Sequence, residues 1–330
     1  MERITLAHGD GGQLAHQLIA DVFVSMFRND RHAKFDAATF TLDPHELAMT
    51  TDSFVVKPLF FPGGNIGKLA VTGTINDLAV VGAIPKVMTC SFIIEEGFPI
   101  CDLKTIVQSM AEEAKKVNVE IVAGDTKVVE RGSADGLYIN TTGLGVISHS
   151  LEPKICEGDS VIVSGSVGDH GVAILVARGE LGLVSTIESD CTTLYPLIAK
   201  ALQASQRIRL MRDPTRGGLA TALVEICEDF GVTIELEEER IPVKQEVEGA
   251  CELLGFDPLY LANEGKVVMI VPKEEEQAVL DALRSQPEGK AAAVIGTVRA
   301  INKGQLLLRT PLGTTRRLYR LTGLMLPRIC

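Results

Sequence analysis

Four aspartates in the first half of the chain, Asp36, Asp52, Asp77 and Asp125, each stand at the margin of an apolar run. Any one of them alone reads as a cap or a turn residue. Together they suit a shared task. Carboxylates gathered at strand ends make an oxygen-rich site for Mg²⁺, which takes a few carboxylates together with water and nucleotide phosphates. Lys127 follows Asp125 by two positions and offers a compact positive charge for a phosphate or a reacting oxygen, or else is a solvated surface lysine. The chain closes on Met325-Leu326-Pro327-Arg328-Ile329-Cys330. A thiol with chain on one side only can swing into a pocket, deliver a bound group and leave. The alternative is an apolar strand whose last residue is a cysteine acting as a small hydrophobe.

The elements that must position these groups follow from periodicity and punctuation. His8-Gly9-Asp10-Gly11-Gly12 is a glycine-rich loop ahead of Leu14, Leu18, Ile19, Val22 and Phe23, which share one helical face. Gly11 and Gly12 can turn backbone N–H groups toward a phosphate, or serve as a flexible lead-in. Asp10 places an acid in that loop, which weighs against phosphate contact, and His8 is a hydrogen-bonding candidate. Strands are predicted on either side of the Asp43-Pro44-His45 turn, the second carrying Thr50-Thr51-Asp52-Ser53. Gly67-Lys68 is not a P-loop, because Leu69 stands where Ser or Thr is needed. A helix over 68–81 carries Asn76-Asp77 in mid-course and ends at Gly82-Ala83-Ile84-Pro85. There follow a strand over 87–94, a helix over 103–117, a buried strand over 120–123 with Gly124-Asp125-Thr126-Lys127 directly after it, and a strand over 137–147.

Glu152-Pro153-Lys154 and Gly158-Asp159 mark a boundary, after which a second α/β pattern begins. It predicts strands over 160–165, 233–236, 266–271, 291–298 and 305–309. Helices are predicted over 171–177, 194–202, 219–230 and 274–283. The domains read as 1–152 and 153–310, with 311–330 as a tail.

Composition narrows the function classes. The chain has 330 residues, 46% hydrophobic and 23% charged, as in an ordinary globular protein. Its net charge of −11 opposes a nucleic-acid partner. The longest apolar stretch is interrupted by Asn76-Asp77, so no membrane span is predicted. Seven scattered cysteines show neither C-x-x-C spacing nor an even count. That argues against a zinc or thioredoxin-like site and suits a reducing, cytoplasmic setting.

Thr50-Thr51-Asp52-Ser53, Asn76-Asp77-Leu78-Ala79, Gly124-Asp125-Thr126-Lys127 and Asp213-Pro214-Thr215-Arg216-Gly217-Gly218 resemble, in order, the signatures of the PurM-like ATP-binding superfamily. That group includes aminoimidazole ribonucleotide synthetase, thiamine-monophosphate kinase and selenophosphate synthetase. The last is disfavoured, because no cysteine lies near the first glycine loop. The opening Ala7-His8-Gly9 with Gly11-Gly12, Asn263-Glu264-Gly265 and the closing Pro327-Arg328-Ile329-Cys330 resemble the HypE family of hydrogenase maturation factors.

The resemblance implies a two-domain α/β (α+β) fold. Its N-terminal sheet pairs in a homodimeric barrel, a C-terminal α/β sandwich follows, and the tail is flexible. It implies ATP and Mg²⁺, with Asp36, Asp52, Asp77 and Asp125 on the metal. Asp52, Asp77, Asp125, Thr51, Asn76, Gly11, Gly12 and Arg216 fall on the nucleotide. It further implies that HypF carbamoylates the Cys330 thiol, that ATP drives dehydration of the thiocarboxamide to a thiocyanate, and that the cyanide passes through HypC–HypD to the iron of [NiFe]-hydrogenase. Loss of two N–H protons requires a base. Glu264 is the candidate, a loop cap being its other possible role. Lys127 would stabilise charge on the oxygen being phosphorylated. Two other readings remain: a small-molecule kinase or synthetase, for which the tail is dispensable, and a non-catalytic thiol carrier, which leaves the aspartates unexplained.

Overall fold

The computed structural model describes residues 12–18, 20–21, 35, 37–42, 45–179, 182, 185–301 and 303–321. Helix α1 (Gln13–Leu18) precedes a hairpin of β1 (Ala38–Leu42) and β2 (His45–Phe54). The short pair β3 (Phe60–Phe61) and β4 (Gly64–Asn65) leads into helix α2 (Ile66–Val80). Then come β5 (Ala83–Glu95), α3 (Ile100–Lys116), β6 (Glu120–Val129) and β7 (Leu137–Ile147). The strands form a five-stranded sheet in the order β1-β2-β7-β5-β6. Only β5 and β6 are parallel, as the intervening α3 permits.

Helix α2 is the pivot of the structure. Asn65 caps it, its side chain accepting from the amides of Gly67 at 2.9 Å and Lys68 at 3.1 Å. Gly82, at φ +81°, turns the chain out of it. It is buried nearly all round, as a helix packed on every side must be. Lys68 donates to the Gly63 carbonyl at 2.9 Å, a structural task in keeping with rejection of a P-loop.

The second half contributes β8 (Ser160–Val163), α4 (Asp169–Arg178), α5 (Tyr195–Ala204), β9 (Leu210–Arg212), α6 (Gly218–Phe230), β10 (Val232–Glu237), α7 (Gln245–Leu254), β11 (Val268–Val271), α8 (Glu276–Arg284), β12 (Ala293–Ile301), β13 (Gln305–Arg309) and β14 (Thr315–Leu318). Its seven strands run in the order β14-β13-β10-β12-β8-β11-β9. One sheet face packs Ile234 and Val268 against Leu219 and Leu223 of α6. The other packs Ile162 and Met269 against Leu197 of α5 and Leu283 of α8. Ala79 and Val80 of α2 belong to this last core, and Ile174, Cys191 and Ala262 of the second half belong to the core of the first. Each sheet thus borrows apolar surface from the other half, with α2 between them.

Several elements differ from the sequence reading. Gly124-Asp125-Thr126-Lys127 lies within β6 rather than after it, because ladder pairing to β5 continues to Val129. Helix α7 was not predicted; only Val247, Ala250 and Cys251 of it are buried, too sparse an apolar stripe to stand out. The tail read as 311–330 starts too early, since Thr315–Leu318 pairs with β13 in the second sheet. Among the described residues no helix is long and apolar enough to cross a membrane.

Candidate active site

Asp52, on β2, projects from the sheet face covered by α2. Its directly paired neighbour Thr141 meets Thr74 of α2 at 2.5 Å, and paired residues share a face. Asp77, on α2, accepts from the Thr50 hydroxyl at 2.7 Å. Asp52 and Asp77 also share a hydrogen bond. Burial raises the Asp52 carboxyl above its ordinary range, against the opposing Arg216 guanidinium and the Asp77 contact. Two adjacent carboxylates with a hydroxyl beside them match the donor set that Mg²⁺ shares with nucleotide phosphates.

Arg216 reaches this pair from the second half of the chain. It sits in the loop ahead of α6, where Gly217 (φ +76°) and Gly218 (φ +65°) take left-handed conformations. A side chain at Gly218 would also strike the carbonyls of Leu259 and Leu261. Asn263 binds this loop down, donating to the Pro214 carbonyl at 2.9 Å and accepting from the Gly168 amide at 2.7 Å.

Glu264 comes next along the chain and is buried, with 4% of its surface exposed. Its carboxyl is held well above the usual range, first by burial, then by Asp213, Asp190 and Asp52; Arg216 pulls the other way. Asp52, Arg216 and Glu264 thus act on one another electrostatically, though they are distant in sequence. A carboxyl raised toward neutrality by a water-poor site is suited to exchanging protons.

Asn76 has its amide engaged inside the protein. It donates to the carbonyls of Thr192 (3.0 Å) and Glu264 (3.4 Å) and accepts from the Leu194 amide at 2.7 Å. Thr51 points to the opposite sheet face from Asp52, donating to the Thr141 carbonyl at 2.9 Å and accepting from Thr142 at 3.0 Å. Gly12 lies against the carbonyl of Leu321, where a side chain would collide, and the Gln13 amide donates to that carbonyl at 3.2 Å. The root of the tail is therefore pinned to the loop before α1. Arg320 adds an ion pair to Glu228 at 2.6 Å, and the Tyr260 hydroxyl donates to the Tyr319 carbonyl at 2.8 Å.

Asp125 and Lys127 stand apart. Asp125 aligns across the sheet with Ser91, Asn140 and Ser53, one residue out of phase with Asp52. Its side chain points to the face that α2 does not cover. Three strand spacings separate it from Asp52 along the sheet, ~14 Å. Asp125 and Lys127 pair with each other at 2.9 Å, with side chains 60% and 69% exposed. The Lys127 hydrogen bond holds the Asp125 carboxyl below its usual range. The expected convergence of the aspartates on one metal therefore divides within a single chain. Among the described residues no group of three metal-binding side chains gathers. Asp36, His8, Gly11 and Cys330 lie outside the described residues.

Residues 34–147 match the AIR synthase related protein N-terminal domain and residues 157–309 its C-terminal domain. Carbamoyl dehydratase HypE of Azotobacter vinelandii is 48% identical over 331 residues, 99% of this chain and 97% of that protein. The chain belongs to the HypE family. A solved HypE–HypF complex contains a chain 48% identical to this one, with a TM-score of 0.86 over 92% of this chain and 99% of the other. A HypE structure in complex with ATP is 43% identical, with a TM-score of 0.83 over 99% and 100% of the two chains.

For a HypE-family site, sequence reasoning missed three buried residues: Asp190, Lys266 and His170. None sits in a recognisable motif. Lys266 did carry a signal, as a charge directly before the apolar run 267–271, where burial demands a partner. The partner is Asp190, at 2.9 Å.

Proposed function

We propose that this chain is an ATP-dependent carbamoyl dehydratase. It converts an S-carbamoyl group on its own Cys330 to a thiocyanate, supplying cyanide for the iron of a [NiFe]-hydrogenase. The observation that carries this reading is Glu264: a buried carboxyl with a raised proton affinity, coupled to Asp52 and Arg216. An amide oxygen leaves poorly. Once the γ-phosphoryl group of ATP is on that oxygen it departs as phosphate, and removal of both N–H protons leaves the C≡N bond. Glu264 takes one of those protons, the departing phosphate carries away the other, and Arg216 orients phosphate oxygens. Asp52 and Asp77 would hold Mg²⁺, which neutralises phosphate charge.

The four buried thiols suit a carrier role poorly. Burial pushes Cys90 and Cys251 up to about 11, Cys227 up to about 12 and Cys191 higher still. Cys330 is the thiol assigned to the carbamoyl group. HypF, which the related structure shows bound to a HypE chain, is the assigned carbamoyl donor, and HypC–HypD the cyanide acceptor.

The working form in this reading is a cytoplasmic homodimer. Strand β6 is exposed along nearly its whole length, including Ile121, Val122 and Val128. Phe40, Leu42, Met49 and Ile93 are exposed on the sheet face that carries Lys127. A long apolar edge beside an uncovered sheet face invites pairing with a second copy. That copy would bring its Asp125 and Lys127 to the site.

Intact-mass measurement of carbamoylated protein, with and without Mg-ATP, tests the reading. The expected result is loss of one water, mapped to Cys330. An unchanged carbamoyl mass in folded, ATP-binding protein overturns it.

A further inference from the structure

Asp190 has no part in the reaction as read above, yet it is heavily engaged with the Glu264–Lys266 segment. One oxygen accepts from the Glu264 amide at 3.0 Å. The other accepts from the Gly265 amide at 3.2 Å and from the Lys266 ammonium at 2.9 Å. The Asp190 and Lys266 side chains are only 3% and 9% exposed. Burial alone would raise the Asp190 carboxyl. Lys266, the Glu264 amide and His170 overcome that and hold it below its ordinary range, as a charged acceptor. The two segments touch backbone to backbone: a side chain on Gly265 would collide with the Asp190 carbonyl.

The segment around Asp190 is itself anchored to the first half. Ser189 donates its amide to the Pro62 carbonyl at 2.9 Å, and its hydroxyl meets His170 Nδ1 at 2.8 Å. Asn76 of α2 holds Thr192, Leu194 and the Glu264 carbonyl. Asn76 adjoins Asp77. On the other side of Glu264, Asn263 is held by Pro214 and Gly168. The backbone of Glu264 is thus gripped before and after the residue, and the grip leads through Asn76 to the helix that carries Asp77.

We propose that Asp190 is a positioning residue for Glu264, fixing the backbone from which the base reaches the substrate and setting its place relative to Asp77. The chemistry calls for a carboxylate. Two successive amides and an ammonium need acceptors on both oxygens, whereas the NH₂ group of an asparagine would oppose the Gly265 amide and the Lys266 ammonium. The proposal rests on the reading of Glu264 as the base.

The test is a double-mutant cycle in full-length carbamoylated protein, following the single-turnover rate and the ATP concentration for half-maximal rate. Asp190→Asn is expected to slow dehydration on the order of 10- to 100-fold, as a misplacement of about 1 Å does. The half-saturating ATP concentration should stay within about twofold. In a Glu264→Gln background the same change should cost less than about threefold, because the group it positions has already gone. An equal loss in both backgrounds makes Asp190 merely structural and overturns the proposal, as does a wild-type rate in Asp190→Asn. A wild-type rate in Glu264→Gln alone removes the base, and the proposal with it. Should Asp190→Asn fail to fold, Asp190→Glu keeps the charge for Lys266 but misplaces both oxygens by a methylene. It should show the same loss, and a wild-type rate there is equally fatal.

Discussion

Asp52 and Asp125 lie on the same five-stranded sheet and are built to opposite specifications. Asp52 faces α2, is partly buried, and acts on Asp77 and Arg216. Asp125 faces away from α2, on an edge strand, paired with Lys127 in open solvent. The first environment is completed by the chain's own second half, which closes over α2 and delivers Arg216 and Glu264. The second is left exposed among the described residues. An exposed ion pair contributes little to stability, so stability gives no reason for a lysine and an aspartate on this exposed edge. The contrast teaches where the chain completes its own site and where the proposed dimer would have to complete it.

The largest expected effect tests the self-sufficient half. Glu264→Gln should slow single-turnover dehydration on the order of 100- to 1,000-fold while retaining ATP binding by calorimetry, as loss of a proton-transfer group does. Next comes Lys127→Met on the open half, with a loss of about 10- to 100-fold and unchanged sedimentation. Mixing these two inactive proteins sharpens the comparison. If Lys127 serves the partner's site, a mixed dimer contains one intact site and regains a large part of the activity. If it serves its own, both sites stay broken and mixing restores nothing.

A smaller effect is expected at the edge itself. Val128→Lys should weaken self-association by roughly 2 kcal/mol, about 30-fold in dissociation constant by sedimentation. A monomeric wild type would break the comparison altogether. The smallest effect concerns the tail root. Arg320→Ala frees the chain from Glu228 and loosens the pivot next to Gly12. That dilutes the effective concentration of the thiol at the site and should lower the rate about three- to tenfold. An unchanged rate would mean that the pivot does not guide the tail.

Legibility followed the range of the interactions. Helix α2 was readable because the apolar run and Gly82 are local signals, although its start was read two residues late, past the Asn65 cap. β6 was read too short because Gly124, a strand breaker by propensity, is retained by pairing to β5; a side chain there would strike the Cys90 carbonyl. Asn76 was read beside the nucleotide, but it binds the Thr192–Leu194 segment, more than 100 residues away in sequence. Asp190 carried no sequence signal, because its three partners are two backbone amides and a lysine 74 to 76 residues further along the chain.

The sequence by itself determined the inventory: the ordered aspartates, the Asn263-Glu264-Gly265 turn, Lys127 beside Asp125 and the closing Pro327-Arg328-Ile329-Cys330. Residue types and short spacings set what chemistry is available, and those are written in the chain. Only the tertiary structure decided which of these groups meet. It joined Asp52, Asp77, Arg216 and Glu264, fixed Glu264 with an unannounced Asp190, and turned Asp125 and Lys127 outward. The physical reason is strand alternation together with closure of the second half over α2. A shift of one residue along a strand moves a side chain to the other face, and no local pattern records which face the rest of the chain will cover.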